Sequence, residues 1–145
     1  MELYRKLYRE LVLTTRPFEM QLNEILQAQG IHRSDWSVLY YLIHDPHLAA
    51  VDIAKLLGIE KPNITRTIKN LASMDYVIVE PSVEDKRKKN LIVTRKGYAM
   101  YEEVRLHVDE FERETMAGLT VEQQEQFLET LQIIQQNLIQ RAGKK

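Results

Sequence analysis

Apolar residues recur along this chain at two spacings, which separate helical regions from a short central region of β type. Up to about residue 74 and again after residue 94 they recur every three or four positions, which is the period of an amphipathic helix. In between, two short β-branched runs, residues 76–79 and 91–93, flank Pro81 and a charged segment. Such runs predict a two-stranded ribbon with a long loop. The fold class predicted is therefore mainly α (α+β).

The first predicted helix, residues 1–28, carries Leu3, Leu7 and Leu11 on one face. Pro17 is expected to kink or divide it, because proline removes an intrahelical hydrogen bond. A helix this long at the end of a small domain has little core to cover. We therefore predict that its apolar face packs against a second copy of the chain, the alternative being a helix folded back on its own domain.

The C-terminal region predicts two further amphipathic helices. Thr94 is expected to cap the first, and Gly118 to end it. Thr120 caps the last helix, with Gln123 at the capping-box position. The apolar positions of this last helix allow coiled-coil-like packing and are predicted to contribute to a dimer interface: Phe127, Leu131, Ile134 and Leu138. A monomeric helical hairpin is the alternative.

The centre of the chain carries two short helical patterns joined by a glycine. The first, residues 51–57, stops at Gly58, four residues after Ala54. A helix-turn-helix needs a small residue where its helices touch and a glycine-type conformation at the turn. The preceding helix is predicted over residues 35–44 with Ser34 as its cap.

The helix after Gly58 has an unusual exposed face. Pro62 is predicted at its first position, and Ile64, Ile68 and Leu71 form the buried face. No carboxylate occurs on the opposite side before Asp75, whereas an ordinary solvated face mixes both signs. Arg, Lys, Asn and Thr pair with base edges and phosphates in the major groove. The candidate DNA-binding residues of this helix are Pro62, Asn63, Thr65, Arg66, Lys69 and Asn70.

The loop of the predicted ribbon is strongly basic. Lys86, Arg87, Lys88 and Lys89 follow one another near its tip, where they suit the phosphate backbone or a minor groove. Asp85 lies two residues before Arg87, and a carboxylate there is expected to orient the guanidinium. A helix-turn-helix followed by such a ribbon predicts a winged helix-turn-helix lobe that binds duplex DNA.

The net charge of −1 conceals an uneven distribution. Residues 61–96 hold nine Lys or Arg against four Asp or Glu, whereas residues 1–60 and 97–145 are both acidic overall. A basic patch on an acidic body suits a site-specific DNA binder, because the body avoids non-specific attraction. On charge alone, an ordinary basic loop remains the alternative.

Several classes of protein find no support in the sequence. The absence of cysteine excludes disulfides and thiolate metal sites and fits a cytoplasmic protein. No run of about 18 apolar residues predicts a membrane span, and residues 1–10 do not resemble a signal peptide. We find no glycine-rich phosphate loop and no nucleophile elbow. The prediction is a protein that is not an enzyme and has no cofactor.

Two pairs of side chains have spacings that can hold a metal. His44 and His47 flank an Asp-Pro pair, and Glu103 and His107 lie four residues apart on a predicted helix. A lone His–Glu pair is more often a surface interaction. We therefore predict no metal site.

Taken together, these stretches resemble the MarR family of bacterial transcriptional regulators over essentially the full chain. The resemblance is carried by residues 34–39, by the helix-turn-helix of residues 53–66, and most specifically by the wing, in which Asp85-Lys86-Arg87 leads to Val93-Thr94 and Gly97. It implies one domain over residues 1–145, with a DNA-binding lobe at 34–94 and dimerisation helices at 1–30 and 97–145.

The resemblance also implies roles for single residues. By position, the major groove would be contacted by Asn63, Thr65, Arg66 and Lys69, and the minor groove or its edge by Arg87, oriented by Asp85. Two departures from the family pattern are Glu60, where many members have a capping Ser, and Val93, where Leu is usual. The Glu60 carboxylate suits the helix dipole but repels phosphate.

The function implied is a sequence-specific DNA-binding regulator: a homodimeric repressor that binds a pseudo-palindromic operator and is released by a small aromatic or anionic effector. Trp36, Tyr40 and Tyr41 are the candidate ligand contacts, with ordinary core packing as the alternative. The alternative function is a winged-helix module for protein or RNA interaction. The helix face of residues 62–70 offers no aromatic platform for RNA bases.

Overall fold

The computed structural model describes residues 2–85 and 87–144, and this part of the chain forms six helices and a two-stranded sheet. The order is α1 (Leu3–Ala28), α2 (Arg33–His44), α3 (Ala50–Leu57), α4 (Lys61–Ser73), β1 (Val77–Pro81), β2 (Lys89–Val93), α5 (Arg95–Thr115) and α6 (Val121–Ala142). The predicted mainly α (α+β) class is confirmed. None of the helices in the described residues combines the length and apolar character that a membrane crossing requires.

The chain divides into two compact units, Met1–Phe111 and Glu112–Lys145. The first unit contains one continuous apolar core, to which α1, α2, α3, α4, the sheet and α5 all contribute. In the second unit, none of the described residues of α6 is buried. The single domain over residues 1–145 remains a prediction.

The core of the first unit forms where the apolar faces of the helices meet. Leu26 of α1, Leu39 of α2, Ile53 of α3 and Leu71 of α4 are completely buried. Such burial contributes about 1.5–3 kcal/mol for each large aliphatic side chain, relative to leaving it exposed. This packing holds α4 against the rest of the lobe and leaves its opposite face in solvent.

The turn between α3 and α4 has the conformation expected of a helix-turn-helix. Gly58 ends α3 in the left-handed region at a φ of 65°, and the Ile59 amide donates to the Ala54 carbonyl at 3.0 Å. Ala54 is buried in the core cluster, as its small size predicts. The short turn brings α4 back across α3.

The sheet is antiparallel and longer than the apolar runs predicted. Its register pairs Ile78 with Ile92 and extends to a last pair, Pro81 with Lys89. Lys89 and Asn90 therefore lie in β2 rather than in the loop, which is reduced to residues 82–88. Proline is tolerated at this position because the ladder ends there and an edge strand does not need every amide.

Pro17 is predicted to kink or divide the first helix, and the structure shows that it does not divide it. The helix α1 continues from Leu3 to Ala28 with Pro17 inside it. Proline in a helix interior costs about 3 kcal/mol, and the long helical segments on both sides outweigh that loss.

Two predicted helix starts are displaced by one or two residues. The N-cap of α2 is His32, whose carbonyl accepts from the Trp36 amide at 3.0 Å, so Ser34 lies inside the first turn and is not the cap. Similarly, Lys61 precedes Pro62 as the first residue of α4. Hydroxyl and proline signals locate a helix start only within a turn.

The predicted caps of the last two helices are confirmed. The Thr94 hydroxyl accepts from the Gly97 amide at 3.0 Å. The Thr120 hydroxyl accepts from the Gln123 amide at 3.1 Å, while the Gln123 side chain accepts from the Thr120 amide at 2.9 Å. These bonds satisfy amides that lack an intrahelical partner.

Candidate nucleic-acid interface

The exposed face of α4 is the surface that the sequence predicts to meet DNA. Ile64, Thr67, Ile68 and Leu71 are buried, whereas the six candidate residues Pro62, Asn63, Thr65, Arg66, Lys69 and Asn70 are all exposed. No carboxylate occurs within Lys61–Ser73. The face therefore offers hydrogen-bond donors and positive charge without a group that repels phosphate.

Glu60 precedes this face and is the N-cap of α4, with an extended backbone. Its side chain makes no capping hydrogen bond, unlike the hydroxyl of a capping Ser. An exposed carboxylate at this end still interacts favourably with the helix dipole. The same negative charge is unfavourable for a phosphate group placed at this end of α4.

Two of the six side chains have partners within the protein. The Thr65 hydroxyl donates to the Lys61 carbonyl at 2.9 Å, which leaves its methyl group and oxygen at the surface. The Asn70 amide donates to both carboxylate oxygens of Asp35, at 3.3 and 3.2 Å. The sequence predicts Asn70 as a DNA contact and gives no sign of Asp35 as its partner, because the two residues are 35 positions apart and no local spacing relates them.

The wing places its charges at the surface. The side chain of Arg87 is 91% exposed, and its Nε lies 3.4 Å from Asp85 Oδ1, which also accepts from the Arg87 backbone amide at 3.0 Å. The contact that the sequence predicts between these residues is thus present. Lys88 and Lys89 are exposed beside it. The predicted contact at Lys86 lies outside the described residues.

Hydrogen bonds within the loop define the backbone position from which the Arg87 side chain extends. The Ser82 hydroxyl accepts from the Asp85 amide at 3.3 Å, and the Ser82 amide donates to the Lys88 carbonyl at 3.0 Å. The Lys88 amide in turn donates to the Asp85 carbonyl at 3.0 Å. Because these bonds connect the two ends of the loop, the side chains of Arg87 and Lys88 extend from a defined backbone.

A concavity of about 630 Å³ lies between α3, α4 and the wing. Its floor is apolar, formed by residues such as Ile68, Val79 and Leu91. Five cations and no carboxylate are among its lining residues: Lys61, Lys69, Arg87, Lys88 and Lys89. The fold thus brings α4 and the wing, distant in sequence, onto one positively charged surface.

Lys96 belongs to the basic stretch in sequence but has an internal role. Its Nζ donates to the Met74 carbonyl at 3.0 Å and lies 5.3 Å from the centroid of the Tyr76 ring. Met74 is the C-cap of α4, so this cation interacts with the negative end of the helix dipole. From sequence, Lys96 is only one of the nine cations of residues 61–96, because Met74 and Tyr76 are distant along the chain.

The three candidate effector residues occupy different environments. Trp36 is buried and stacks on Tyr101, with ring centroids 4.7 Å apart. Tyr40 is 38% exposed and meets the half-buried Tyr41 edge to face at 5.4 Å. The concavity beside the wing and a second one of about 540 Å³ are both lined by other residues. For Trp36 the structure therefore favours a role in core packing over contact with a ligand.

A second concavity, of about 540 Å³, lies between the C-terminal half of α1 and the side chain of Phe111. Glu24 is the one charged residue among its lining residues, which also include Met20 and Ile25. Without a cation, this surface does not suit an anionic ligand.

The side chains considered as metal ligands are the pair His44 and His47 and the pair Glu103 and His107. His44 Nε2 lies 3.5 Å from the Tyr101 hydroxyl, and its ring lies 4.3 Å from that of Tyr40. Glu103 and His107 are exposed on α5. Within residues 2–85 and 87–144, no group of three or more His, Asp or Glu side chains is arranged to hold a metal.

Comparison with solved structures supports the fold. A Staphylococcus aureus MarR structure, in complex with salicylate and kanamycin, superimposes with a TM-score of 0.83 at 27% identity and covers 95% of this chain and 93% of that one. A Staphylococcus aureus MepR–DNA complex superimposes with a TM-score of 0.74 at 24% identity, over 93% of this chain and 96% of that one. The second likeness concerns the fold alone.

Sequence comparison identifies the family. Residues 29–88 match the MarR family profile. An uncharacterized HTH-type transcriptional regulator of Staphylococcus aureus strain Mu50 is 30% identical over 134 residues, which cover 92% of this chain and 91% of the relative. The uncharacterized HTH-type transcriptional regulator YwoH of Bacillus subtilis strain 168 is 33% identical over 123 residues, 85% of this chain and 89% of the relative. The chain belongs to the MarR family and is a transcriptional regulator, not an enzyme.

Proposed function

We propose that this MarR-family regulator is a homodimeric repressor that binds a pseudo-palindromic operator in the cytoplasm and releases it when a small ligand binds. In this proposal α4 enters the major groove and the wing follows the adjacent minor groove or its edge. The observation that carries it is the exposed face of α4, which has no carboxylate and lies beside a basic wing on one surface.

The roles of the side chains follow from their chemistry. Arg66 and Lys69 are exposed on α4, and such cations pair with guanine O6 and N7 in the major groove. Arg87 extends from the wing with its Nε near Asp85, which suits a minor groove of negative potential. Lys88 and Lys89 supply charge to the phosphate backbone, and backbone contacts position the protein without reading sequence.

Exposed apolar surface on the terminal helices supports the dimer. Leu3 is 70% and Leu7 60% exposed on α1, and Phe127 and Leu138 are more than half exposed on α6. Such large side chains at helical spacing are costly to leave in water and mark surfaces that bind a partner. A two-fold dimer would present two α4 helices to half-sites about one helical turn apart.

The ligand part of the proposal rests on similarity and on chemistry. The Staphylococcus aureus MarR structure contains salicylate and kanamycin. By analogy we propose a small aromatic or anionic effector for this chain, with Tyr40 and Tyr41 as the accessible aromatic contacts.

The experiment that tests the function is a fluorescence-polarisation titration with the DNA upstream of the chain's own gene, a scrambled duplex as control, and two salt concentrations. We expect much tighter binding to the upstream DNA and a steep loss of affinity with salt, since phosphate contacts release counterions. Equal, weak binding to both duplexes, and to a library of genomic fragments, would contradict operator recognition and favour a protein- or RNA-interaction module.

The same assay tests relief by a ligand. Salicylate is added to the protein–operator complex, with the uncharged salicylamide as a matched control. We expect salicylate to lower operator affinity and salicylamide to do so less. No effect of either compound at millimolar concentration would argue against an anionic aromatic effector.

A further inference from the structure

Asp35 has a buried carboxylate, and the proposed function gives this residue no role. It is the third residue of α2 and only 2% exposed. No other Asp or Glu in the described residues is buried to this degree. Removing a carboxylate from water is costly unless the group is hydrogen-bonded, so its partner matters for the fold around it.

The side-chain partner is Asn70, on the helix predicted to read DNA. The Asn70 amide nitrogen lies 3.3 and 3.2 Å from the two oxygens of Asp35. An ionised carboxylate only accepts hydrogen bonds, so the amide must present its NH₂ group to it. Asp35 lies in the first turn of α2, where the positive end of the helix dipole favours a negative charge.

Asn70 sits at the border between the two faces of α4. At 100° per residue it follows Arg66 by four positions, or about 40° around the helix axis, and it precedes the buried Leu71 by one. A hydrogen bond at this border resists rotation of α4 about its own axis. Rotation is the movement that would turn Arg66 and Lys69 away from the groove.

We propose that Asp35 and Asn70 are positioning residues that set the rotation of α4, so that operator specificity depends on a carboxylate that never touches DNA. The inference rests on the proposed function. It also reassigns Asn70 from a base contact to an internal one. The candidate DNA contacts on α4 are thereby reduced from six residues to five: Pro62, Asn63, Thr65, Arg66 and Lys69.

A double-mutant cycle tests the proposal, with Asn70→Ala, Asp35→Ala and the double variant. Asn70→Ala leaves a buried carboxylate without this partner, and we expect the ratio of operator to scrambled-DNA affinity to fall by roughly tenfold. Adding Asp35→Ala removes the unpaired carboxylate, so the double variant should recover part of the lost affinity ratio. Asp35→Asn, whose amide oxygen still accepts from Asn70, should keep the ratio close to that of the unmodified protein.

Three readouts separate positioning from other roles. The ratio is measured well below the unfolding midpoint of every variant, so that loss of folding does not enter it. The salt dependence of operator binding should not change, because no phosphate contact is removed. Thermal unfolding of the four proteins measures the coupling between the two residues without DNA.

The outcomes are distinct. If the double variant is as impaired on the operator as Asn70→Ala, and Asp35→Ala alone has no effect, then Asn70 contacts DNA directly and the proposal is wrong. The two residues could instead be coupled in thermal unfolding while every variant keeps the same ratio of operator to scrambled-DNA affinity. In that case the pair stabilises the lobe without positioning α4, which also overturns the proposal. A lack of operator preference in the unmodified protein would refute the proposed function, and the positioning role with it.

Discussion

Single residues on the DNA-facing surface differ in what they can contribute to binding. Arg66 lies on the carboxylate-free face of α4, whereas Lys88 lies on the wing, where the backbone of the duplex is expected to pass. A side chain that pairs with a base edge contributes to sequence preference, and one that meets phosphate contributes equally on every sequence. The two residues therefore allow these contributions to be separated.

Arg66→Ala is expected to reduce the ratio of operator to scrambled-DNA affinity about tenfold, since one base contact is worth about 1–3 kcal/mol. Lys88→Ala, its matched control, should weaken binding to both duplexes equally and lower the salt slope by about one. Fluorescence polarisation at several salt concentrations measures both. Identical behaviour of the two variants would show that this division of roles is wrong.

Tyr101 shows how burial alters a single titratable group. It is buried beneath Trp36, and burial raises the pKa of its hydroxyl above the usual 10.0, while the nearby Arg105 opposes the rise. A raised pKa in the folded state means that the folded protein keeps this proton longer than the unfolded chain does. The associated stability is complete below pH 10 and is lost as the pH rises through the folded-state pKa.

Tyr101→Phe should therefore reduce the loss of stability in alkali. Urea unfolding at pH 8 and at pH 10.5 measures the free energy of unfolding of both proteins. We expect the unmodified protein to lose more stability between the two pH values than the variant does, because only it carries the buried hydroxyl. An equal loss in both proteins would contradict this role of the Tyr101 hydroxyl.

At the scale of elements, the end of α4, the start of the wing and the start of α5 meet at one joint. The Thr94 hydroxyl donates to the Asp75 carbonyl, and the Thr94 amide donates to the Tyr76 carbonyl at 3.0 Å. Asp75 has a φ of 62°, which is uncommon for a residue other than glycine. Gly97 is buried at this joint, and an added Cβ would overlap the Tyr76 carbonyl oxygen.

Gly97→Ala should destabilise the fold by about 1–3 kcal/mol, as expected for overpacking against a backbone that cannot move away. Because the joint connects α4 to the wing, operator affinity should fall as well. Gly143→Ala is the matched control, since its Cβ would make ordinary contacts at 3.6 Å or more. Urea unfolding that places Gly97→Ala level with the control would contradict this account of the joint.

At the scale of the whole molecule, the central question is what covers the apolar surface of the terminal helices. In an isolated chain an exposed leucine can be exchanged for a charged residue at little cost. In an interface the same exchange buries an unpaired charge. The effect of one substitution on the oligomeric state therefore distinguishes the two cases.

Leu7→Glu should convert the proposed dimer into monomers and lower operator affinity strongly, because both half-sites are then no longer bound together. Arg9→Glu introduces a carboxylate on the opposite side of α1 and should leave the dimer intact. Analytical ultracentrifugation of both variants measures the mass in solution. A monomeric unmodified protein, or a Leu7→Glu variant that remains dimeric, would argue against the proposed interface on this face of α1.

The sequence alone determined the features that depend on neighbours along the chain. Helical periodicity identified every helix, and the hydroxyl of Thr120 with Gln123 located the start of α6 to the residue. The exposed face of α4 was likewise predictable, because its polar and apolar positions alternate with the helix period. The contact between Asp85 and Arg87 followed from a separation of two residues.

Only the tertiary structure decided the features that depend on distant residues. The bond between Asp35 and Asn70 and the stacking of Trp36 on Tyr101 join residues that no local period relates. The sheet extends to Pro81 and Lys89 because pairing across strands, rather than apolar content, sets its length. Periodicity reports which side of an element is buried, but the partner on that side is chosen by how the elements pack.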